Sequence, residues 1–152
     1  MNVEDDLFLP LHSILKKMRK ILDAELIQFG FSHAEMRILM ALYLYYEDGC
    51  NQDDLTAKLE VDRSNVGRAL KKLEQLNYVK RSKEVNDRRV NSVLLTEQGK
   101  SIREQLFAIR GTVRKTLMVG MNHDELGSLK NLLEKADQSM NEKNYRNLRD
   151  KI

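Results

Sequence analysis

One cysteine, one proline and seven glycines in 152 residues leave this chain few means of crosslinking, breaking or linking its elements. Cys50 alone excludes an intramolecular disulfide. The N-terminus lacks a basic start, an apolar run and a small-residue cleavage site, so export is not expected and a cytoplasmic location is. No stretch approaches eighteen uninterrupted apolar residues, so no membrane partner is expected. A glycine-rich phosphate loop, a nucleophile elbow, and His-x-x-x-His or Cys-x-x-Cys spacings are all missing, and His12, His33 and His123 are scattered. Neither an enzyme, a metal site nor a bound cofactor is therefore expected. With no repeat and no low-complexity run, residues 1–152 are expected to form one mostly helical domain.

What the chain does have is a local excess of positive charge. Val61 to Val90 holds nine basic and four acidic side chains, a net +5, whereas the other 122 residues hold 17 basic and 19 acidic ones. The overall charge of +3 is thus gathered into one short segment, as expected where phosphates are to be met.

Apolar periodicity and capping residues place the elements. After Pro10, residues Leu11, Ile14, Leu15, Met18, Ile21, Leu22 and Leu26 mark a first helix that Gly30 stops. Ser32 and Glu35 form a capping box for a second helix carrying Met36, Leu39, Leu42 and Tyr43. Asn51 predicts the start of a short third helix with Leu55 and Leu59 inward, and Asp62 the cap of a fourth, giving a helix-turn-helix. In the fourth helix Val66, Leu70, Leu73 and Leu76 hold one side, and Ser64, Asn65, Arg68 and Lys72 the other. Asn77 suits a left-handed position at its end. Strands are predicted at about Val79 to Lys83 and Val90 to Leu95, with a hairpin tip near Asn86 to Arg88. Thr96 caps a long fifth helix through Ile102, Leu106, Ile109, Val113 and Leu117. Asn122 and Glu125 open a sixth with Leu126, Leu129, Leu133, Ala136 and Met140 at a helix–helix seam spacing. The fold class is mainly α with a small β-hairpin wing (α+β). It is a winged helix-turn-helix at 32–95 with flanking helices at 1–30 and 96–152 that are predicted to form a homodimerisation layer, because their exposed apolar seams need a partner.

The series LTAKLEVDRSNVGRALKKLEQLNYVKR followed by NDRRVNSVLLTEQGK resembles the MarR (multiple antibiotic resistance regulator) family of winged-helix transcription factors. The D-x-R of the wing and the L-T-x-x-G of the next helix correspond to Asp87, Arg89, Leu95, Thr96 and Gly99. Two positions depart from the family pattern, where glycine is common: Glu60 and Asn77. Both concern backbone shape. The resemblance implies a transcriptional regulator of double-stranded DNA, a ligand-responsive repressor that binds a palindromic operator as a homodimer. It further implies a crevice for a small aromatic or phenolic ligand, for which Met36, Met40, Tyr43 and His12 are the candidates, although Met and Tyr at helical spacing are more often core.

The fourth helix is expected in a major groove, with Ser64 and Asn65 at base edges, Arg68 on a guanine or phosphate, and Arg63 and Lys72 on phosphates. At the wing, Arg89 is expected in a minor groove with Asp87 bracing its guanidinium, and Arg88 and Lys83 add phosphate contacts. Oxidant sensing by Cys50 has little support, since the resemblance places the reactive thiol of such sensors in the first helix, where this chain has none. The alternative function is a winged-helix protein–protein adaptor or a non-specific DNA-packaging protein; Arg68, Lys72 and the wing arginines argue against the adaptor.

Overall fold

In the computed structural model, which describes residues 6–82, 92–141, 143, 144 and 146, helix α1 spans Phe8–Leu26. Asp6 accepts from Phe8 N–H at its start, and Pro10 lies in the first turn, where a missing N–H leaves no acceptor unpaired. A 3-10 turn, Ile27–Phe29, ends at Gly30 in the left-handed region (φ 76°). Of the apolar stripe on α1, Leu22 and Leu26 are buried while Leu11 and Leu15 are exposed.

Helix α2, His33–Tyr45, starts with the expected capping box. Glu35 is buried, and its carboxylate accepts from Ser32 N–H at 2.8 Å and Ser32 Oγ at 2.7 Å. The carboxylate of Asp23 on α1 accepts from His33 N–H at 2.8 Å, so α1 caps α2 as well. Helix α3, Gln52–Leu59, carries a second capping box, Asn51 with Asp54. Helix α4, Arg63–Gln75, follows after a turn in which Glu60 takes φ 51°. Asp62 occupies its N-cap position, and its carbonyl accepts from Asn65 and Val66 N–H. The expected side-chain cap is not made: the Asp62 carboxylate has no capping bond.

The core is built from inward faces of these helices, where Leu39, Leu42, Leu55, Val66, Leu70 and Leu73 are fully buried. Strands β1, Val79–Ser82, and β2, Ser92–Leu95, pair antiparallel in a register that sets Val79 opposite Leu95 and Ser82 opposite Ser92. The outer ends of the predicted strands, Lys83 and Val90, and the proposed hairpin tip lie outside the described residues. Cys50 adds an isolated bridge to Val93, with N–H···O contacts of 3.2 and 2.6 Å, which ties the loop after α2 to the sheet.

The long helix expected from Thr96 is interrupted. It forms α5, Glu97–Ser101, and α6, Arg103–Leu117, with Ile102 out of helical geometry between them. The carbonyl that would accept from Arg103 N–H in a continuous helix belongs to Gly99, and it accepts from the Tyr43 hydroxyl at 2.5 Å. A side chain inserted into the backbone ladder is a recognised cause of such breaks. Helix α7, His123–Ser139, opens with the expected Asn122–Glu125 capping box; none of its side chains is buried, and Met140 lies at its C-cap. The chain divides into two compact units, 1–113 and 114–152. Among the described residues, no helix is long and apolar enough to cross a membrane.

Candidate nucleic-acid interface

Helix α4 presents two distinct faces. Val66, Ala69, Leu70 and Leu73 are buried, whereas Arg63, Ser64, Asn65, Arg68 and Lys71 are exposed and Lys72 is half-buried. Thirteen residues at ~1.5 Å rise make a rod about 20 Å long, and its ~10–12 Å diameter matches a ~12 Å major groove.

The scaffold fixes this rod at both ends. At the start, Gln52 Nε2 donates to the Arg63 carbonyl at 3.0 Å, pinning α3 to α4. The close approach also involves Gly67, where an added Cβ would lie 3.2 Å from Gln52 Nε2. The C-terminus of α3 is satisfied from α2, since Arg37 Nη2 donates to the Leu59 carbonyl at 2.8 Å, a cation meeting the negative end of a helix. At the far end of α4, Asn77 N–H donates to the Glu74 carbonyl and Tyr78 N–H to the Leu73 carbonyl. This is a Schellman motif with Asn77 in the left-handed position at φ 61°.

The segment after β2 locks the lobe. Thr96 Oγ1 accepts from Gly99 N–H at 3.0 Å and donates to the Asn77 carbonyl at 2.5 Å. Gly99 sits so close to Tyr78 that a Cβ would meet its carbonyl oxygen at 2.1 Å. The L-T-x-x-G residues therefore hold a helix start against a strand start, which is packing work that keeps the sheet aligned with α4.

The exposed cations have partners of their own. The Arg63 guanidinium forms an ion pair with Asp53 of α3, and Arg68 Nη2 donates to Asn65 Oδ1 one turn earlier. Arg81 of β1 lies 3.6 Å from the carboxylate of Glu74. Gln52, Asp53, Arg37 and Glu74 escape a reading of the sequence alone because their contacts cross between elements. The one available signal was Gly67, a glycine inside a helix, which costs helix stability and flags a close approach.

The remaining candidates are distributed as follows. Lys83, Asp87, Arg88 and Arg89 lie outside the described residues. Met36, Met40 and Tyr43 share the buried face of α2, at 4%, 6% and 5% exposure, where they fill the core. The Tyr43 ring lies 6.4 Å from that of Phe107 and burial pushes its hydroxyl up to about 12. His12 is exposed and stacks on Phe8 of its own helix. An open concavity of about 510 Å³ occurs instead beside the α1–α2 connection, lined by Asp23, Ala24, Ile27, Gly30, Phe31, Ser32 and Lys72, and none of the four ligand candidates borders it. Cys50 is buried, and burial, followed by the nearby Asp54, pushes its thiol up to about 12. Reactive thiols have depressed values, so this one has the chemistry of a core residue.

Comparison with known proteins places this geometry among regulators. The model of the MarR family matches residues 31–90. The HTH-type transcriptional regulator PrsX of Escherichia coli is 26% identical over 110 residues, 72% of this chain and 66% of that protein, so the match spans just under two thirds of that relative. A MarR transcriptional regulator from Methanosarcina mazei Go1 superposes with a TM-score of 0.76 at 26% identity, covering 86% of this chain and 92% of that one. A mutant MarR from E. coli complexed with operator DNA gives a TM-score of 0.74 at 25% identity, with 87% and 99% covered.

Proposed function

We propose that this chain is a regulator of the MarR kind, a sequence-specific regulator of transcription that binds a palindromic operator in double-stranded DNA as a homodimer and releases it in response to a small ligand. Its relatives are named as transcriptional regulators, and one solved neighbour was crystallised with operator DNA. The observation that carries the reading is the outward face of α4: Arg63, Ser64, Asn65, Arg68 and Lys72 on a helix pinned at both ends. Base readers need such rigidity, because a few tenths of an ångström decide a hydrogen bond.

In this reading Ser64, Asn65 and Arg68 meet base edges while Arg63 and Lys72 meet phosphates. Arg89 enters a minor groove beside α4's groove, braced by Asp87, with Arg88 and Lys83 on flanking phosphates.

The homodimer is supported by apolar side chains with no cover in a single chain: Leu7 and Phe8 at the start of α1 are 72% and 71% exposed, and Leu132 and Leu133 of α7 are also exposed. Two copies place two recognition helices about 34–36 Å apart, one turn of B-DNA. A ligand at the concavity beside Lys72 touches α4 directly, which gives it a route to change that spacing. Small aromatic acids are then expected to weaken operator binding.

The test is enrichment of duplexes from a random pool by the purified protein. The expected product is a two-fold symmetric sequence with half-sites one helical turn apart. Retention of duplex without sequence preference would mark a packaging protein, and no retention at all an adaptor; either result overturns the proposal.

A further inference from the structure

Helix α1 carries four cations in five positions, Lys16, Lys17, Arg19 and Lys20, and all four are exposed. Spacings of three and four residues set Lys16, Arg19 and Lys20 side by side on one face, where like charges repel and weaken the helix. Elsewhere Arg63, Arg68 and Arg81 each meet a side-chain oxygen, from Asp53, Asn65 and Glu74. Among the described residues, no carboxylate pairs with any of the four cations of α1. Asp23, the next residue along that face, turns to α2 and accepts from His33 N–H at 2.8 Å.

This positive face continues into the helix-turn-helix. Arg19 of α1 and Arg37 of α2 both act on the His33 imidazole, which burial first, and then these two charges, hold below its ordinary value against Asp23 and Glu35. The two arginines thus share one positive field at the start of α2. Arg37 is itself exposed and donates to the carbonyl of Leu59, the last residue of α3, and Arg63 opens α4 four residues later. A duplex carries about one phosphate charge per ~1.7 Å of its axis, beyond as well as within the base pairs that are read. We propose that Lys16, Arg19 and Lys20, joined to α4 through Arg37, form a second phosphate-binding surface that grips duplex DNA outside the base pairs α4 reads. An anionic membrane fits this face less well, because lipid binding needs an apolar face beside the cations. Ile14, Met18, Ile21 and Leu22 are half-buried or buried, which leaves Leu15 as the one exposed apolar side chain between residues 14 and 22. The inference rests on the reading of the chain as a duplex-DNA regulator and deepens it.

Two duplexes test the surface: the sequence enriched from a random pool, trimmed to its two half-sites, and the same sequence extended by one helical turn of random sequence at each end. Fluorescence anisotropy over a salt series compares the full chain with an Arg19→Ala/Lys20→Ala variant. An Arg110→Ala/Lys115→Ala variant, which removes two exposed cations of α6, controls for net charge. All four positions are exposed and helical, so alanine is compatible with the fold, and an unchanged circular dichroism melt confirms it. Extension should tighten wild-type binding several-fold at low salt. Arg19→Ala/Lys20→Ala should lose that gain and flatten the salt slope on the extended duplex by up to about 3.6 for a dimer, at ~0.9 per phosphate contact, while leaving the trimmed duplex unaffected. The control variant should keep the gain. No gain on extension in the wild type, an equal loss on both duplexes, or the same loss in the control would each overturn the proposal and leave the regulator reading standing. So would binding to phosphatidylserine vesicles that Arg19→Ala/Lys20→Ala abolishes while its DNA binding stays unchanged. Absence of any enriched sequence would overturn the regulator reading, and this surface with it.

Discussion

Arg63 and Asp53 form an ion pair across the turn of the helix-turn-helix, so the first cation of α4 already holds a carboxylate. Both side chains are about two-thirds exposed, and a pair of this kind adds only about 0.2–1 kcal/mol to folding. In the proposed reading, where Arg63 meets a phosphate, its larger effect falls on DNA affinity, since Asp53 competes with the phosphate for the guanidinium. Asp53→Asn is expected to tighten binding to random duplex and to steepen the salt slope of log K by up to about 1.8 for a dimer, at ~0.9 per phosphate contact. In an Arg63→Ala background the same substitution should leave the slope nearly unchanged. Fluorescence anisotropy over a salt series reads both, and weaker binding by Asp53→Asn would show that the carboxylate braces the arginine instead.

Gly99 and Gly111 make opposite predictions from the same substitution. A Cβ at Gly99 would lie 2.1 Å from the Tyr78 carbonyl oxygen, backbone that cannot give way, so Gly99→Ala should cost about 3 kcal/mol or more. At Gly111, inside α6, a Cβ would meet nothing within 4 Å. Gly111→Ala should therefore stabilise by about 0.5–1 kcal/mol through helix propensity. Urea denaturation curves compared at constant m-value decide both.

Glu60 takes a left-handed conformation, φ 51°, that a side chain other than glycine adopts at a cost. Glu60→Gly is expected to raise stability by about 0.5–1 kcal/mol, the relief of that strain less the extra freedom of glycine in the unfolded chain. Asn77→Gly should gain less, because asparagine tolerates the region and its Nδ2 donates to Gln98 Oε1 at 3.3 Å. Thermal melts of the two variants give the order.

His33 couples stability to mild acid. Burial at the start of α2, then the positive charge of Arg19, holds its imidazole below the ordinary value of 6.5, while Asp23 and Glu35 oppose this and Arg37 adds to it. A depressed value means that the unfolded chain binds the proton more tightly, so the stability contributed by neutral His33 is fully present above pH 6.5 and is lost as pH falls toward and through the folded value. The unfolding midpoint should drop between pH 7.5 and pH 5.5, and His33→Gln should remove part of that drop. An identical pH profile in the variant would locate the sensitivity elsewhere.

Much of this lobe was legible because it follows local rules. The capping boxes at Ser32 and Asn122, the apolar stripe of α4, and the left-handed positions at Glu60 and Asn77, where glycine is common in the family, all rest on residues a few positions apart. The features that escaped depend on distant partners. The break at Ile102 follows from Tyr43, 56 residues before Gly99, and periodicity across Ile102, Leu106 and Ile109 carries no trace of it. Asp53 and Gln52 are ten and eleven residues from Arg63 and meet it only because the turn folds α3 back on α4. Met36, Met40 and Tyr43 pack on the buried face of α2, the arrangement that Met and Tyr at helical spacing more often adopt.

If α4 reads duplex DNA sequence-specifically, the ratio of affinities for an enriched duplex and a random one, measured from low to physiological salt, will show it. The predicted result is at least about a 10³-fold preference at physiological salt that persists as the random-duplex affinity falls, with Arg68→Ala losing most of the preference. Equal affinities for the two duplexes, falling together with salt, would rule out sequence-specific reading and leave the basic face of α4 a phosphate-binding surface.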